Sequence, residues 1–554
     1  MKKPLEELLR DACERARQGG ELVTTTLPPL FLTVPKEVEH GDLASNLALV
    51  LARGERKPPR AVAEILVRHL RDDAGILADV QVAGPGFLNF RFAPSYWQRC
   101  LADAERAGEG YGRSAVGAGR RVQIEFVSAN PTGPLHVGHA RGAVTGNALA
   151  LLLEATGHAV AREYYVNDAG NQMKLLGAST YARYAELCGC PAPFPENGYP
   201  GDYVRDVAAA IRVADGDRWM AVDADEARAA LRDRAGAMLL DQIRDDCALL
   251  RIRFDAFVSE RALRAAGLVE DTLAALTRAG FVYEAEGARW FRSTAFGDDK
   301  DRPLVKSDGA LTYFAADVAY HRQKYAEGYD RIIDVWGADH HGHVPRMRAA
   351  MQALGLDPAR LEVALVQVVH LTRGGEPVRM GKRSGEFVTL REVVEDVGAD
   401  ATTFFLLMRK SDAHLEFDLE LAKRQTAENP VFYVQYAHAR VASVFRAAAA
   451  AGLDRAAAAA ADPARLVEPE ELALIRRIAQ FPEVVEAGAL ELEPHRVVFF
   501  LVDLAGDFHR YYNRIRILGE DRELAAARLL LAANVQKVVR AGLTLLGIGA
   551  PDTM

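Results

Sequence analysis

Hydrophobic positions follow three successive rhythms along this chain. Over residues 1–107, helical spacing at Leu5–Arg17 and Arg60–Arg71 alternates with strand-like runs at Leu30–Val34 and Gln81–Phe92, the second cut by Gly84-Pro85-Gly86. This predicts a small α+β unit. Residues 108–119 hold five glycines in twelve positions, which predicts a flexible boundary. From Arg120 to about Glu428 the order is strand, helix, strand: Arg121–Ser128, then a helix over Val137–Ala155 closed by Gly157, then Val160–Val166. That order predicts a parallel sheet with helices on its faces. A long, helical, acidic section from about Tyr181 to Arg278 interrupts it, an insertion placed at about 181–290. Sheet-like segments resume at Arg331–Trp336 and Glu362–Leu371. From Asn429 onward every long segment is helical, and alanine-rich Ala447–Ala461 fits a weak helix or a tether. Three domains are expected, at 1–107, 108–428 and 429–554.

Composition changes this picture little. The chain has 554 residues, 49% hydrophobic and 26% charged, enough apolar material for several cores. A net charge of −8 argues against DNA as a partner, because DNA-binding surfaces carry excess positive charge. A local basic face toward RNA remains compatible with it. Cys13, Cys100, Cys188, Cys190 and Cys247 are odd in number and scattered, so a reducing cytoplasm fits better than a disulfide framework. Cys188-Gly189-Cys190 lacks a second pair at zinc spacing. The amphipathic, acidic start has no signal-peptide core, and no apolar run reaches about 18 residues, so no membrane partner is expected.

The most informative run is Ser128-Ala129-Asn130-Pro131-Thr132-Gly133-Pro134-Leu135-His136-Val137-Gly138-His139-Ala140-Arg141-Gly142. A strand leads in, a turn-rich loop follows, and a helix begins at the two histidines. Open α/β sheets bind ligands at the carboxyl ends of their strands. A helix start offers partial positive charge and free N–H groups, and imidazoles add donors that protonation makes cationic. Chemistry at a nucleotide phosphate follows. The loop, small Ala140 and Gly142, and the preceding strand together resemble the first signature of class I aminoacyl-tRNA synthetases. With the features below, the chain resembles the arginyl-tRNA synthetase family of bacterial type. The fold class implied is α/β: a Rossmann-like parallel-sheet catalytic domain with insertions, a small α+β domain before it and an all-α helical bundle after it.

A second phosphate-facing element is Arg379-Met380-Gly381-Lys382-Arg383-Ser384-Gly385, whose glycines permit a mobile loop around a flexible charge at Lys382. It resembles the second class I signature, Lys-Met-Ser-Lys-Ser, only at Met380 and Lys382; arginyl members relax this motif. Lys306 is a candidate helper by the same resemblance. An arginine substrate also demands acids, because a guanidinium is always charged and its burial needs carboxylate partners. Glu125 ends the first strand, Tyr313 and Asp317 share a helical face, and Asp339 follows a later strand. These match, by resemblance, the family's arginine-binding glutamate, tyrosine and aspartate. Ser128 and Asn130 match residues that hold the substrate's α-amino and carboxylate region. Asp339-His340-His341-Gly342-His343 is rich in metal-capable side chains, yet adjacent histidines rarely converge on one ion, so no metal site is expected. In the family this stretch borders the adenosine pocket.

The resemblance implies ATP bound by Asn130, Pro131, Thr132, Gly133, His136, Gly138, His139, Met380 and Lys382, with His136, His139 and Lys382 catalytic and Mg2+ accompanying the ATP. RNA recognition calls for stacking surfaces and arginines. Phe508–Arg516 offers both, and Asn429–Arg440 resembles the opening of the family's anticodon-binding domain. The tRNA-facing candidates are Tyr433, Tyr436, Arg440, Arg510, Tyr512 and Arg514. Glu39–Asn46 resembles the family's extra N-terminal domain, which contacts the tRNA elbow. The expected partners are L-arginine and tRNA(Arg), for a monomeric, cytoplasmic enzyme. Two alternatives stand beside it: another class I synthetase, of cysteinyl or glutamyl type, and an inactive RNA-binding paralogue.

Overall fold

The computed structural model describes residues 2–35, 37–378 and 388–554, so the second signature, with Met380 and Lys382, lies outside the described residues. The centre is a wholly parallel sheet of β1 (Arg121–Glu125), β2 (Ala159–Val166), β3 (Ala256–Ser259), β4 (Arg331–Gly337) and β5 (Leu361–Val366). Its spatial order is β5-β4-β1-β2-β3. The chain winds one way from β1 to β3 and the other way from β4 to β5. The carboxyl edge between β1 and β4 is therefore the switch point at which such sheets bind ligands.

β1 ends at Glu125, not at Ser128 as alternation predicts. Val127 and Ser128 take left-handed backbone, with φ of 68° and 42°. Such conformations cost about 1–3 kcal/mol each and persist only where surroundings impose them. Here Ser128 Oγ donates to Glu125 Oε1 at 2.8 Å and accepts the Tyr165 N–H at 3.1 Å. Helix α1 (Val137–Ala155) spans the predicted range, and fourteen of its nineteen residues are buried, which makes it a core helix. Gly146 lets it lie close on the sheet, since a Cβ there would sit 2.2 Å from the Phe126 ring. Buried Arg141 of α1 donates to the carbonyls of Gln367, Ala413 and Lys410 at 3.1, 2.7 and 2.9 Å.

The helical insertion is narrower than 181–290. It comprises α2 (Gly170–Leu187), α3 (Asp202–Asp215) and α4 (Ala224–Leu249), and then β3 rejoins the main sheet beside β2. Four residues are too few for alternation to reveal that strand. Next come α5 (Glu260–Ala265) and a small antiparallel sheet of Val282–Ala285, Ala288–Phe291 and Arg302–Val305. Helix α6 (Tyr313–Ala326) precedes β4. The run Glu362–Leu371 is two strands, because β6 (Val369–Arg373) leaves the sheet to pair in parallel with β7 (Leu415–Asp418). Helix α7 (Leu390–Val397) follows the second signature.

The N-terminal unit packs helices on a four-stranded sheet, and the glycine break in Gln81–Phe92 is the turn of a hairpin, Leu77–Ala83 with Phe87–Phe92. The glycine-rich boundary is packed, not flexible: Ser114, Gly117 and Gly119 donate to the carbonyls of Ala155, Thr156 and Gly157 at 3.0, 2.7 and 2.9 Å. At the other end the bundle consists of α8 (Pro430–Ala450), α9 (Pro469–Leu490), α10 (His495–Arg514) and α11 (Arg522–Leu545). The alanine-rich stretch is helix as far as Ala450 and again over Arg455–Ala459, with Ala448 and Ala458 buried. One apolar core runs from Leu5 through α1 to Ile548. Among the described residues no helix is long and apolar enough to cross a membrane.

Candidate active site at the switch point

His136 caps α1, its Nδ1 accepting the Gly138 N–H at 3.1 Å. His139 Nδ1 accepts the His136 N–H at 3.3 Å. Each neutral imidazole therefore carries its proton on Nε2. The two rings stack with centres 3.8 Å apart. Gly138 makes this possible, because a Cβ there would lie 2.8 Å from His136 Cε1. Burial, and then neighbouring His136, push the pKa of His139 down to about 3. His139 is thus a neutral donor, one of the two states open to an imidazole donor. The free helix-start amides are also absent: Val137 donates to Val388 O at 3.3 Å, Gly138 to His136, and His139 to His136 O at 2.9 Å. What the helix start keeps for an anion is its dipole and the Nε2–H of His139. The chain leaving the second signature is stitched to the first, since His136 and Thr389 form a bridge and Leu390 N–H donates to Leu135 O at 2.8 Å.

The acids fall into two groups. Glu125 belongs to a buried network. Lys324 Nζ of α6 donates to Glu125 Oε2 at 2.6 Å and to Asp334 Oδ1 at 2.8 Å, and His321 Nε2 lies 2.7 Å from Asp334 Oδ2. Tyr320 donates to Glu163, which also accepts Gln123 Nε2 at 3.0 Å. Burial alone pulls the pKa of Lys324 down, but Asp334, Glu125 and Glu163 outweigh it and raise it. Burial alone raises that of Asp334, and Lys324 and His321 reverse it to below the usual carboxylate range. Glu125, His321 and Asp334 have the spacing of a metal site, but the Lys324 ammonium is already the cation bonded to both carboxylates.

The second group faces the cleft. Asp317 and Tyr313 do share a face of α6; Asp317 Oδ2 sits 3.1 Å from His343 Nε2, and Tyr313 is 56% exposed. Glu260, at the start of α5, is 1% exposed and accepts Arg264 Nε at 2.8 Å. The sequence reading missed it. Its signal was a place just after a strand end, and that strand, β3, went unrecognised. Burial first, then the charges of Glu260, Asp317 and Glu125, push the pKa of the Tyr165 hydroxyl up. Among the described residues this buried hydroxyl completes no hydrogen bond of good geometry, although the Glu260 carboxylate is close enough to act on it.

Other candidates stand differently. Asp339 is not brought to the acids, because the turn Ala338–His340 carries its side chain outward, 84% exposed. The Ser128 hydroxyl is committed to Glu125 and Tyr165. Asn130, half-buried, donates to Gln172 Oε1. Lys306 is exposed on a turn. His340 and His343 have ring centres 6.3 Å apart, and His343 packs on Trp336 at 5.4 Å.

On the bundle, the Arg440 guanidinium lies between the Tyr436 and Tyr512 rings, 4.5 and 4.6 Å from their centres. Its Nη1 donates to His509 Nδ1 at 3.0 Å, and the Tyr433 ring lies 4.5 Å from that imidazole. Arg510 and Arg514, both exposed, pair with Asp507 and Glu470. Phe508 and Tyr511 of the same helix are core.

Three family models match the chain. They are the arginyl tRNA synthetase N-terminal domain over residues 3–92, the catalytic domain of class I (R) tRNA synthetases over 107–442, and the DALR anticodon binding domain over 434–554. The arginine–tRNA ligase of Citrifermentans bemidjiense is 48% identical, covering 100% of both chains. That of Desulforudis audaxviator is 49% identical over 99% of this chain and 98% of its own. The solved Thermus thermophilus arginyl-tRNA synthetase shares the fold at a TM-score of 0.78, with 24% identity and 100% of both chains covered.

Proposed function

The chain belongs to the arginine–tRNA ligase family, and on that premise we propose that the edge between β1 and β4 is where it activates arginine with ATP before transfer to tRNA(Arg). The observation that carries this is the placement of Glu125 at the end of the strand that feeds the histidine loop, joined through Ser128 to the neighbouring strand at Tyr165, whose buried hydroxyl feels the charges of Glu260 and Asp317 as well. A guanidinium presents a planar fork of donors and needs acceptors on several sides. Lys324 already neutralises Glu125 and Arg264 pairs with Glu260, so Asp317, part-exposed beside His343, is the acid most available to the substrate, with Glu260 beside it and Tyr313 at the mouth. Ser128 acts by holding Glu125, and Asn130 with Gln172 shapes the loop between the two substrates.

A carboxylate oxygen of arginine attacks the α-phosphorus in line. The new bond makes arginyl-adenylate as the bond to pyrophosphate breaks, and no covalent enzyme intermediate arises. Catalysis is positioning plus stabilisation of spreading phosphate charge. His136 and His139 meet that charge, His139 through its Nε2–H, and Lys382 meets the departing pyrophosphate. Mg2+ arrives on the phosphate oxygens of ATP, since Ala129–His139 contains no carboxylate to hold it. The tyrosines around Arg440 offer stacking faces to tRNA bases. We divide the chain at 107/108 and 428/429; Asn429 Oδ1 caps α8 at Val431 N–H, 3.2 Å away, as a fresh helical unit begins. The family resemblance suits a monomer, and five free cysteines suit the cytoplasm.

Asp317→Asn tests the pocket. Losing one charged hydrogen-bond partner, worth about 1.5–3 kcal/mol, raises the KM for arginine about 10- to 100-fold in ATP–pyrophosphate exchange with tRNA present. The KM for ATP stays within about twofold. Equal rises for both substrates would remove Asp317 from the guanidinium site.

A further inference from the structure

The phosphate-facing loop has an amide whose direction is set from outside the sheet. Prolines at 131 and 134 leave few donors in this turn, and the Thr132 N–H is spent on Asn130 O at 2.7 Å. The Gly133 N–H has no acceptor among the described residues. Its peptide partner, the Thr132 carbonyl, accepts the hydroxyl of Tyr203 at 2.9 Å. Tyr203 lies on α3 of the helical insertion. Across a planar trans peptide the C=O and N–H point in opposite directions. Holding the Thr132 carbonyl therefore aims the Gly133 N–H away from the insertion. The tyrosine ring also supports the glycine, because a Cβ at Gly133 would lie 3.2 Å from its hydroxyl and 3.3 Å from Cζ.

We infer that Tyr203 is a positioning residue for ATP: it fixes the Gly133 amide as a backbone donor to a phosphate oxygen, in place of the helix-start amides that the protein itself consumes. The helical insertion is then part of the nucleotide site and sets its shape. This rests on the reading of the histidine loop as the ATP site.

The test is ATP–pyrophosphate exchange with arginine and tRNA(Arg), run on wild type, Tyr203→Phe, Gly133→Ala, the double variant and His139→Ala. Tyr203→Phe keeps the ring and deletes the grip. It raises the KM for ATP about 5- to 10-fold, the effect of one modest hydrogen bond, while the KM for arginine stays within about twofold. Gly133→Ala raises the KM for ATP by crowding the same hydroxyl. In the double variant that crowding is relieved, so the combined rise is smaller than the product of the single effects. An unchanged KM for ATP in Tyr203→Phe overturns the inference. Parallel rises for ATP and arginine overturn it too, because they mark general structural damage, and so do strictly multiplicative effects in the double variant, because they mark two sites that act independently. His139→Ala separates the levels. If it leaves exchange intact, the ATP reading of the loop falls; if it slows exchange while Tyr203→Phe is silent, only the role of Tyr203 falls.

Discussion

His139→Ala lowers the rate of arginine activation by about 10²–10³-fold, the cost of removing one preorganised donor aimed at developing charge. The effect is large because His139 does not need a proton from solution to act. Its pKa is held at about 3, so over the working pH range it is neutral, with its Nε2–H available. Activity thus shows no acid limb near pH 6.5 arising from this group. The stability consequence has a definite sign. The folded pKa lies below the ordinary 6.5, so the contribution to stability is complete above pH 6.5 and drains away as pH falls toward 3. His139→Ala removes that part of the acid slope, which urea unfolding at pH 7 and pH 4.5 measures. An exchange rate within a few fold of wild type takes His139 out of the mechanism.

Lys324→Met destabilises the protein by about 3–5 kcal/mol, because removing one partner of a buried ion pair strands the other. Two carboxylates are stranded here. Glu125 and Asp334 both bond to the single ammonium, which also lies 4.3 Å from the centre of the Tyr320 ring. Methionine preserves most of the length and packing, so the loss is electrostatic. Glu125 also anchors Ser128 in its left-handed conformation, so arginine activation falls along with stability. Adding Asp334→Asn relieves one stranded charge and restores part of the stability. Denaturant midpoints of the single and double variants check both statements. A single variant as stable as wild type would show that the network carries no such charge.

The parts of this fold that are legible in the sequence are those with long periods or local chemistry. Helix α1 has nineteen residues and capping histidines, and its boundaries match the expected ones. β3 has four residues and takes its identity from pairing with β2, so no local pattern exposes it. The left-handed pair Val127-Ser128 is equally hidden, since it is imposed by the bonds to Glu125 and Tyr165. The glycines of 108–119 look like a tether by composition, but two of them serve close approach: a Cβ at Gly112 would lie 2.3 Å from the Phe481 ring and one at Gly117 2.6 Å from His158 Nδ1.

The site divides the same way. Glu125 and the histidine pair could be named as candidates from their positions at strand and helix ends, and Asp317 from its helical spacing to Tyr313 and the family resemblance. Lys324 could not, because a lysine in the last turn of a helix ordinarily serves that terminus from solvent. Its partner Glu125 is 199 residues away in the chain. Burial also decides charge: spacing leaves the charge of His139 open, and the folded protein holds it neutral. Asp339 shows the opposite failure: a strand end is suggestive, but one outward turn takes the side chain into solvent.

The most direct measurement is a crystal structure with arginine and a non-hydrolysable ATP analogue bound. The account places the guanidinium between the Glu260 and Asp317 carboxylates, next to the Tyr165 hydroxyl, and the phosphates against His136, His139 and the Gly133 amide. Arginine bound away from those acids, or a triphosphate remote from the histidine loop, would contradict it.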